Sequence, residues 1–251
     1  MVVLPINRSP EVPANHFVSA WEAIERKQRE GAEDWWLVAQ PDHATIAGTM
    51  ASKIASPLFP GLDAEVLQAI AQHDDGWASF DSAPQRLNGR PLSFLDAPVS
   101  EFLEAWRASI TRAGQHSAIG GILVSQHFCR IAQARPTSAP AAGNDLLKQF
   151  LSEEAARQSR LMQQQSRSEH EIHELVDVLQ FCDLLSLYVC CGSGEDIEFP
   201  QRFHGTQVRL RREKELCRLE PNIFGGGMSL AVPARKFSDF GQSRSLPVLF
   251  S

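Results

Sequence analysis

Apolar residues recur at helical spacing through most of the chain before residue 193. The segment LDAEVLQAIAQHD, residues 62–74, places Val66, Leu67 and Ile70 on one stripe, which predicts an amphipathic helix that begins near Asp63. The segment ELVDVLQFCDLLSLYVCC is apolar nearly all round, so it is predicted to be a buried central helix. Similar periodicity predicts further helices in DHATIAGTMASKI, FLEAWRASI, SAIGGILVSQHFCRIAQ and FLSEEAARQSRLMQQQ.

The pattern changes after Gly192. The segments TQVRLRR, ELCRLE and SLAVPARKF are short, partly alternating in polarity and separated by turn residues, which is typical of strands. The expected fold class is therefore mainly α, a helical bundle with a small C-terminal β appendage. The pattern divides the chain into an N-terminal extension with one helix (1–34), a helical domain (35–193) and a small β-rich extension packed on it (194–251).

Length and composition are those of an ordinary globular protein. The 251 residues can bury a sizeable core, and no run approaches the roughly 18 consecutive apolar residues that a membrane helix needs. The N-terminal residues do not have the pattern of a secretory signal, and the five cysteines lack disulfide or zinc-finger spacing, so we expect a cytoplasmic protein with reduced thiols. A net charge of -6 gives no general attraction to nucleic acid or to anionic membranes.

Polar residues interrupt the apolar stripes of several predicted helices. Asp183 stands inside VLQFCDLLSLYV, where an unpaired carboxylate would cost several kcal/mol to desolvate. Taken singly, a core histidine or aspartate is more often structural than a ligand. Imidazoles and carboxylates that converge from several helices, however, are suitable ligands for a divalent metal, whose charge offsets the buried carboxylates. We therefore expect a metal site formed by His43, His73, Asp74, His127 and Asp183.

The order of these residues resembles the signature of the HD superfamily of metal-dependent phosphohydrolases, which is H…HD…D on an all-helical bundle. His43 matches the first histidine, His73 and Asp74 match the pair, and Asp183 matches the last aspartate. The phrases QPDHATIAGTMA, AIAQHDDGWASFDSAP, GRPLSFLDAP, ILVSQHF and LQFCDLLSLYVC are also similar to an uncharacterised bacterial family, a domain of unknown function with an HD-like fold, over residues 35–245. The resemblance implies an HD-domain-like helical bundle with a metal site, but no established reaction.

Two further histidines bear on whether one or two metal ions bind. Some HD proteins hold two metals through extra histidines between the HD pair and the last aspartate, and His116 and His127 occupy that interval. If SAIGGILVSQH is one straight helix, the two histidines lie about 16 Å apart, which is too far for one compact centre. We therefore predict that His116 is exposed and does not belong to the metal site. His127 is kept as a second-metal ligand, an outer partner of a ligand or a plain core histidine.

The loop after the HD pair carries candidates for the substrate site. Trp77, Arg86 and Arg90 lie in it, and arginines close to a metal can hold a phosphate or carboxylate bidentately. The alternative is a loop that is only held together by an Arg–Asp pair. Asp75 is a candidate catalytic residue that accepts a proton from a metal-bound water, or else an exposed cap or a group that orients a ligand.

Two other motifs are interpreted as surface features. HEIHE, residues 170–174, has two histidines at i and i+3 and does not match the HExxH zinc motif. RLRREK, residues 209–214, is basic but has no interleaved aromatic residues, so it is typical of an exposed edge strand and not of a nucleic-acid site.

These observations favour a metal-dependent hydrolase that acts on a phosphoester or a similar small anionic substrate through a metal-bound hydroxide. The divalent ion is Fe, Mn, Zn, Ni or Mg, and neither its identity nor the number of ions follows from the residues. One alternative is a di-iron oxygenase that resembles inositol oxygenase, and another is a non-catalytic small-molecule sensor that contains a metal. The expected partner is a small-molecule substrate, with no nucleic acid and no membrane, and the oligomeric state stays open.

Overall fold

The computed structural model of the protein describes residues 1–6, 16–135, 141–213 and 216–251, without the side chains of residues 141 and 142. About half of the chain is helical and about a quarter forms strands. The described helices are α1 (Ala20–Arg29), α2 (Gln40–Ala51), α3 (Ala64–Ala71), α4 (Val99–His116), α5 (Ala118–Ala134), α6 (Ala141–Met162) and α7 (Glu169–Cys191). The described strands are β1 (Val2–Ile6), β2 (Val18–Ser19), β3 (Asp34–Val38), β4 (Arg86–Leu87), β5 (Arg90–Pro91), β6 (Ile197–Phe203), β7 (Thr206–Glu213), β8 (Leu216–Glu220), β9 (Met228–Lys236) and β10 (Ser243–Phe250).

Eight of these strands form one curled sheet in the order β1-β3-β9-β10-β8-β7-β6-β2. In the interior of the sheet β3 pairs antiparallel with β9, where Leu37 lies opposite Arg235. At one edge β2 pairs parallel with β6, where Val18 lies opposite Ile197. Strands from the first and last parts of the chain therefore share one sheet, and β4 and β5 form a separate small hairpin.

The prediction of a mainly α, HD-domain-like bundle with a small C-terminal β appendage is wrong. The segments predicted as strands do form β7, β8 and β9. They belong to a large sheet, however, because β1, β2 and β3 join the C-terminal strands. β1 and β3 are only five residues long each, and Leu37 and its partner Arg235 lie about 200 residues apart. Local periodicity cannot indicate a pairing over that separation.

α7 is the central helix, in agreement with its nearly continuous apolar sequence. Its buried residues include Phe181, Leu185 and Tyr188, and α1, α2 and α5 pack against it. Tyr188 is fully buried, and its hydroxyl donates to the Glu195 carbonyl oxygen at 2.7 Å. Asp183 lies on this same helix and is therefore carried into the core.

Two glycines allow close packing around the turn that follows α3. A Cβ atom at Gly48 of α2 would collide with Ala71 at the end of α3, and a Cβ atom at Gly76 would collide with the Ala105 carbonyl oxygen in α4. The Gly76 N–H donates to Ser109 Oγ at 2.9 Å. Because neither glycine has a side chain, α2 can lie directly on α3, and the turn after α3 can lie directly on α4.

The basic segment of β7 lies on the surface. Arg211 is exposed and pairs with Glu220 at 2.9 Å and with Asp196 at 3.3 Å. Lys214, the last residue of the predicted basic cluster, lies outside the described residues. In the part of the chain that the structure describes, none of the helices has the length and apolar character needed to cross a membrane.

Candidate metal centre

Five buried polar residues meet where α2, α5 and α7 pack around the turn that follows α3. His43 lies in α2, His127 in α5 and Asp183 in α7. α3 ends at Ala71, so His73 and Asp74 lie in the turn before a short 3-10 helix (Asp75–Trp77) and not on the helix predicted for them. All five side chains belong to buried residues. The structure thus brings together every residue that the sequence indicated as a metal ligand.

His43, His73 and Asp183 form a group that could hold a metal ion. Each offers one ligand atom, and these atoms all lie within 4.8 Å of one another. Two imidazoles and a carboxylate are common ligands of divalent transition metals. Asp74 and His127 lie beside this group.

His73 is the central residue of the group. Its Nδ1–H donates to the Ile70 carbonyl oxygen at 2.8 Å, while Nε2 lies 3.3 Å from Asp183 Oδ1. The ring lies edge-to-face between His43 and His127, at centroid distances of 5.1 and 5.3 Å. Burial acts to lower the pKa of His73, but the charges of Asp74 and Asp183 and the hydrogen bonds outweigh burial and raise this pKa to about 9. In the metal-free protein His73 is therefore an imidazolium paired with Asp183.

Ser186 orients His43. The Ser186 hydroxyl donates to the Asp183 carbonyl oxygen at 2.9 Å, so the serine oxygen accepts the Nδ1–H of His43, also at 2.9 Å. Nε2 of His43 then faces Asp74 Oδ2 at 2.8 Å. A nitrogen lone pair and a carboxylate oxygen at this distance require a proton or a metal cation between them.

Two buried atoms beside the group have no hydrogen-bond partner among the described residues. They are Asp74 Oδ1 and His127 Nδ1. His127 Nε2 lies 3.8 Å from Asp183 Oδ2. Burial outweighs the attraction of Asp183 and lowers the pKa of His127 to about 4, so His127 is neutral at pH 7. Unpartnered buried atoms of this kind suit residues that bind or support an ion, so the residues present fit a divalent metal.

Asp183 stays ionised in spite of its burial. Burial acts to raise its pKa, but the hydrogen bond and charge of His73, together with the other two histidines, lower this pKa to about 2. The core therefore contains a carboxylate that the imidazolium of His73 neutralises. A divalent ion could take over that neutralising role from the proton.

Asp75, the predicted catalytic residue, lies at the edge of the group. It is half-buried and begins the 3-10 helix after Asp74. Burial raises the pKa of its carboxyl group, although Arg112 and His73 favour the charged form. The Arg112 guanidinium donates from Nη1 to the Asp75 carbonyl oxygen at 2.9 Å. Asp75 is thus electrostatically linked to the histidines without being one of the three grouped ligands.

The three predicted substrate-binding residues make other contacts. Trp77 belongs to the hydrophobic core and packs edge-to-face on Phe80 at 5.8 Å. Arg86 is exposed and stacks on Phe237, with Cζ 4.2 Å from the ring centroid. Arg90 donates to Asp96 Oδ2 at 2.9 Å and to the Gln28 carbonyl oxygen at 2.8 Å. Arg90 therefore forms an Arg–Asp pair that holds the loop together, and these contacts do not bring either arginine to the histidines.

The sequence did not indicate Ser186 or Arg112 as site residues. Ser186 follows Asp183 by three positions on α7, so helical spacing could have placed it on the same face. Arg112 lies close to Asp75 only because α4 packs on the turn after α3, and no local sequence pattern indicates that contact.

Two histidines lie outside the site. His116 is exposed at the last position of α4, and α5 begins separately at Ala118. His170 of the HEIHE motif is also exposed.

The fold and the buried group define a mixed α/β protein with a histidine–aspartate site that could hold a metal ion. The chain belongs to the family described as protein of unknown function (DUF3891), and the match covers residues 27–239. This confirms the expected membership of a family of unknown function, and the matched region includes all five residues of the site. No curated protein and no solved structure matches the chain.

Proposed function

We propose that the protein is a metal-dependent hydrolase that acts on a phosphoester or a similar small anionic substrate. The observation that supports this function most directly is the cluster of ligand atoms from His43, His73 and Asp183 within 4.8 Å. Asp74, directly after His73, adds a second carboxylate beside this cluster, with Oδ2 2.8 Å from His43 Nε2.

A divalent ion is the cofactor that suits these residues. Two imidazoles favour Fe, Zn or Ni, whereas Mn and Mg prefer sites richer in oxygen ligands. Three protein ligands leave coordination positions open, as catalytic sites require. When bound, such an ion lowers the pKa of water and polarises an oxygen atom of the substrate.

Hydrogen bonds from the protein prepare the two histidines for this role. The Ile70 carbonyl oxygen holds His73 through Nδ1, and Ser186 holds His43 through Nδ1. Both rings therefore keep Nε2 for a ligand, because the partner of one ring nitrogen determines which nitrogen is free. Asp74 Oδ1, which has no partner in the described residues, adds a further donor atom for the ion or for water.

Asp75 and Arg112 supply a proton acceptor and a positive charge beside the ligands. Burial raises the pKa of the Asp75 carboxyl group, which makes its carboxylate a stronger proton acceptor. Arg112 places a guanidinium next to Asp75, and guanidinium groups bind phosphate oxygen atoms. In this assignment Arg112 holds the substrate anion, the role that the sequence indicated for Arg86 and Arg90.

The burial of the ligands favours a second candidate, a non-catalytic small-molecule sensor with a closed metal site. His43 and His73 are fully buried, and Asp183 is 8% exposed. If Asp74 and His127 complete the coordination, no position remains for a substrate. The two candidates therefore differ in whether water and substrate can reach the ion.

Metal content tests whether the site exists. We expect protein reconstituted with Fe, Zn or Ni and then desalted to retain stoichiometric metal in elemental analysis. His73→Ala and Asp183→Asn should lose it, because each removes one of the three ligands. His170→Ala removes an exposed histidine and serves as the matched control. Full retention of metal in both ligand variants would reject the site.

Activity assays separate the candidates. A panel of phosphoesters and nucleotides is tested with Mn, Fe or Zn, with and without oxygen. Hydrolysis that disappears in Asp183→Asn and persists in His170→Ala supports the hydrolase. Turnover only in the presence of oxygen rejects the hydrolase in favour of an oxygenase. Stoichiometric metal whose coordination is completed by the protein, as seen by X-ray absorption, together with no turnover, supports the sensor.

A further inference from the structure

A cavity of about 650 Å³ lies between the start of α2, the segment after the 3-10 helix and the β9–β10 hairpin. Its volume is in the range of roughly 300–1,000 Å³ that is usual for small-molecule sites. None of the five candidate metal-site residues lines this cavity. It is therefore a separate feature of the molecule and not an extension of the metal centre.

Two arginines lie at the hairpin end of the cavity. Arg235 of β9 is paired with Ser243 of β10, and the adjacent pair is Ala234 with Arg244. Both arginines are exposed, and neither is within 4.0 Å of a carboxylate among the described residues. Arg235 is held over the Phe240 ring, with Cζ 5.1 Å from the centroid. Side chains alternate between the two faces of a strand, so Arg235 shares a face with Ser243 and Leu37, and Arg244 lies on the opposite face. The Arg235 guanidinium is thus available to an anion in the cavity.

The carboxylates that line the cavity do not form an ion pair with Arg235. Asp81 accepts the backbone N–H of Gln40 at 2.6 Å and the amino group of Met1 at 2.9 Å, so both of its oxygen atoms are already engaged. Asp42 attracts Arg235 electrostatically but does not reach ion-pair distance. The hairpin end of the cavity therefore stays positive, while the α2 end carries negative charge.

Apolar and hydroxyl side chains complete the lining. Leu37, Pro233 and Phe240 provide apolar surface. Ser243 and Ser245 flank Arg244 on β10 and can donate hydrogen bonds. A largely apolar wall with a few polar groups at one end is the usual composition of a site for a small organic ligand.

We propose that this cavity binds a small organic molecule with one anionic group, a phosphate or a carboxylate, held by Arg235 together with Ser243 and Ser245 on the same face. Guanidinium groups match the oxygen atoms of both anions in bidentate geometry. The apolar body of the ligand packs on Leu37, Pro233 and Phe240. This site goes beyond the proposed hydrolase, because a ligand bound here touches none of the metal-ligating residues.

Calorimetric titration of the full chain with three probes tests the site. Inorganic phosphate measures the anionic interaction alone, while phenyl phosphate and benzoate distinguish phosphate from carboxylate and add an apolar ring. We expect phenyl phosphate or benzoate to bind more tightly than inorganic phosphate. Arg235→Gln should bind its best probe at least about tenfold more weakly, since hydrogen bonds to a charged group are lost. Arg160→Gln, an exposed position on α6, controls for net charge and should bind as the wild type does.

Two further variants show whether the probes bind in this cavity or at the metal centre. Ser82→Trp fills the cavity without a change of charge and should block the probes that carry a ring. Asp183→Asn should keep probe binding, so failure of the metal site leaves this site intact. No binding of any probe to the wild type would overturn the site, as would equal binding by Arg235→Gln with an unchanged circular dichroism spectrum. Loss of binding in Asp183→Asn alone would place the anion at the metal centre and would also overturn it.

Discussion

His73 Nε2 lies 3.3 Å from Asp183 Oδ1, although 110 residues separate the two in the chain. The imidazolium of His73 and the carboxylate of Asp183 neutralise each other in the metal-free protein. An ion that binds between them must displace the proton of His73. This one contact therefore makes both metal affinity and stability depend on pH.

Metal binding should become tighter as the pH rises towards about 9 and then level off. Ligation needs the neutral form of His73, whose pKa is about 9 in the metal-free protein. Each pH unit below that value should weaken the apparent affinity about tenfold. Calorimetric titration with Zn²⁺ at pH 7, in buffers of different ionisation enthalpy, should show release of about one proton per ion. An affinity that does not change with pH would contradict this expectation.

The metal-free protein should be most stable near pH 6.5, the ordinary pKa of histidine. The raised pKa of His73 adds stability that is complete below 6.5 and is lost as the pH rises through about 9. Burial lowers the pKa of His127 from 6.5 to about 4, so stability is also lost as the pH falls between these values. The lowered pKa of Asp183 adds a further loss between 3.8 and about 2.

Urea unfolding in the presence of a chelator measures this dependence. The free energy of unfolding should be lower on both sides of pH 6.5 than at that value, with the alkaline loss assigned to His73. His73→Gln should abolish the loss between pH 6.5 and about 9 and keep the acid loss that the burial of His127 causes. A stability that still rises from pH 6.5 into the alkaline range would show that His73 is not protonated in the fold.

Removal of the Ser186 hydroxyl should weaken metal binding about 10- to 100-fold. Ser186 accepts the Nδ1–H of His43 and so fixes the ring that presents Nε2. In Ser186→Ala the ring can rotate or change tautomer, and we expect a loss of about 1 kcal/mol in unfolding free energy from the missing hydrogen bond. The control is Ser93→Ala, which removes the hydroxyl of a different buried serine, the N-cap of the 3-10 helix Phe94–Asp96. Its metal affinity should equal that of the wild type.

Methyl groups at the two tightly packed glycines should destabilise the fold by about 1–3 kcal/mol each. Gly48→Ala would press on Ala71, and Gly76→Ala would press on the Ala105 carbonyl oxygen. Gly61→Ala is the matched control, since a Cβ atom there meets nothing within 4 Å. Denaturant midpoints compare the three variants, and the control should stay within about 0.5 kcal/mol of the wild type. Equal midpoints for all three would show that the close contacts relax without cost.

The convergence of these buried polar residues could be predicted because of an energetic conflict within the sequence itself. Asp183 interrupts an apolar helix, and His43 and His127 interrupt apolar stripes. Buried groups of this kind must be compensated, so they indicate a common site even when their partners are unknown. The substrate-binding residues carry no such conflict. Arg86 and Arg90 are indicated only by their position in a loop, and the fold uses them against Phe237 and Asp96 instead.

By itself the sequence determined the central helix α7, most of the other helices, the individual strands β7, β8 and β9, and the burial of the five histidines and aspartates of the candidate site. A periodic apolar pattern is a local property of the sequence, and it can be recognised within roughly ten to twenty residues. Only the tertiary structure decided that β1 and β3 join the C-terminal strands, that α3 ends before His73, and that Ser186 and Arg112 reach the site. These features depend on contacts between distant segments, and local periodicity specifies that a face is buried but not which segment covers it.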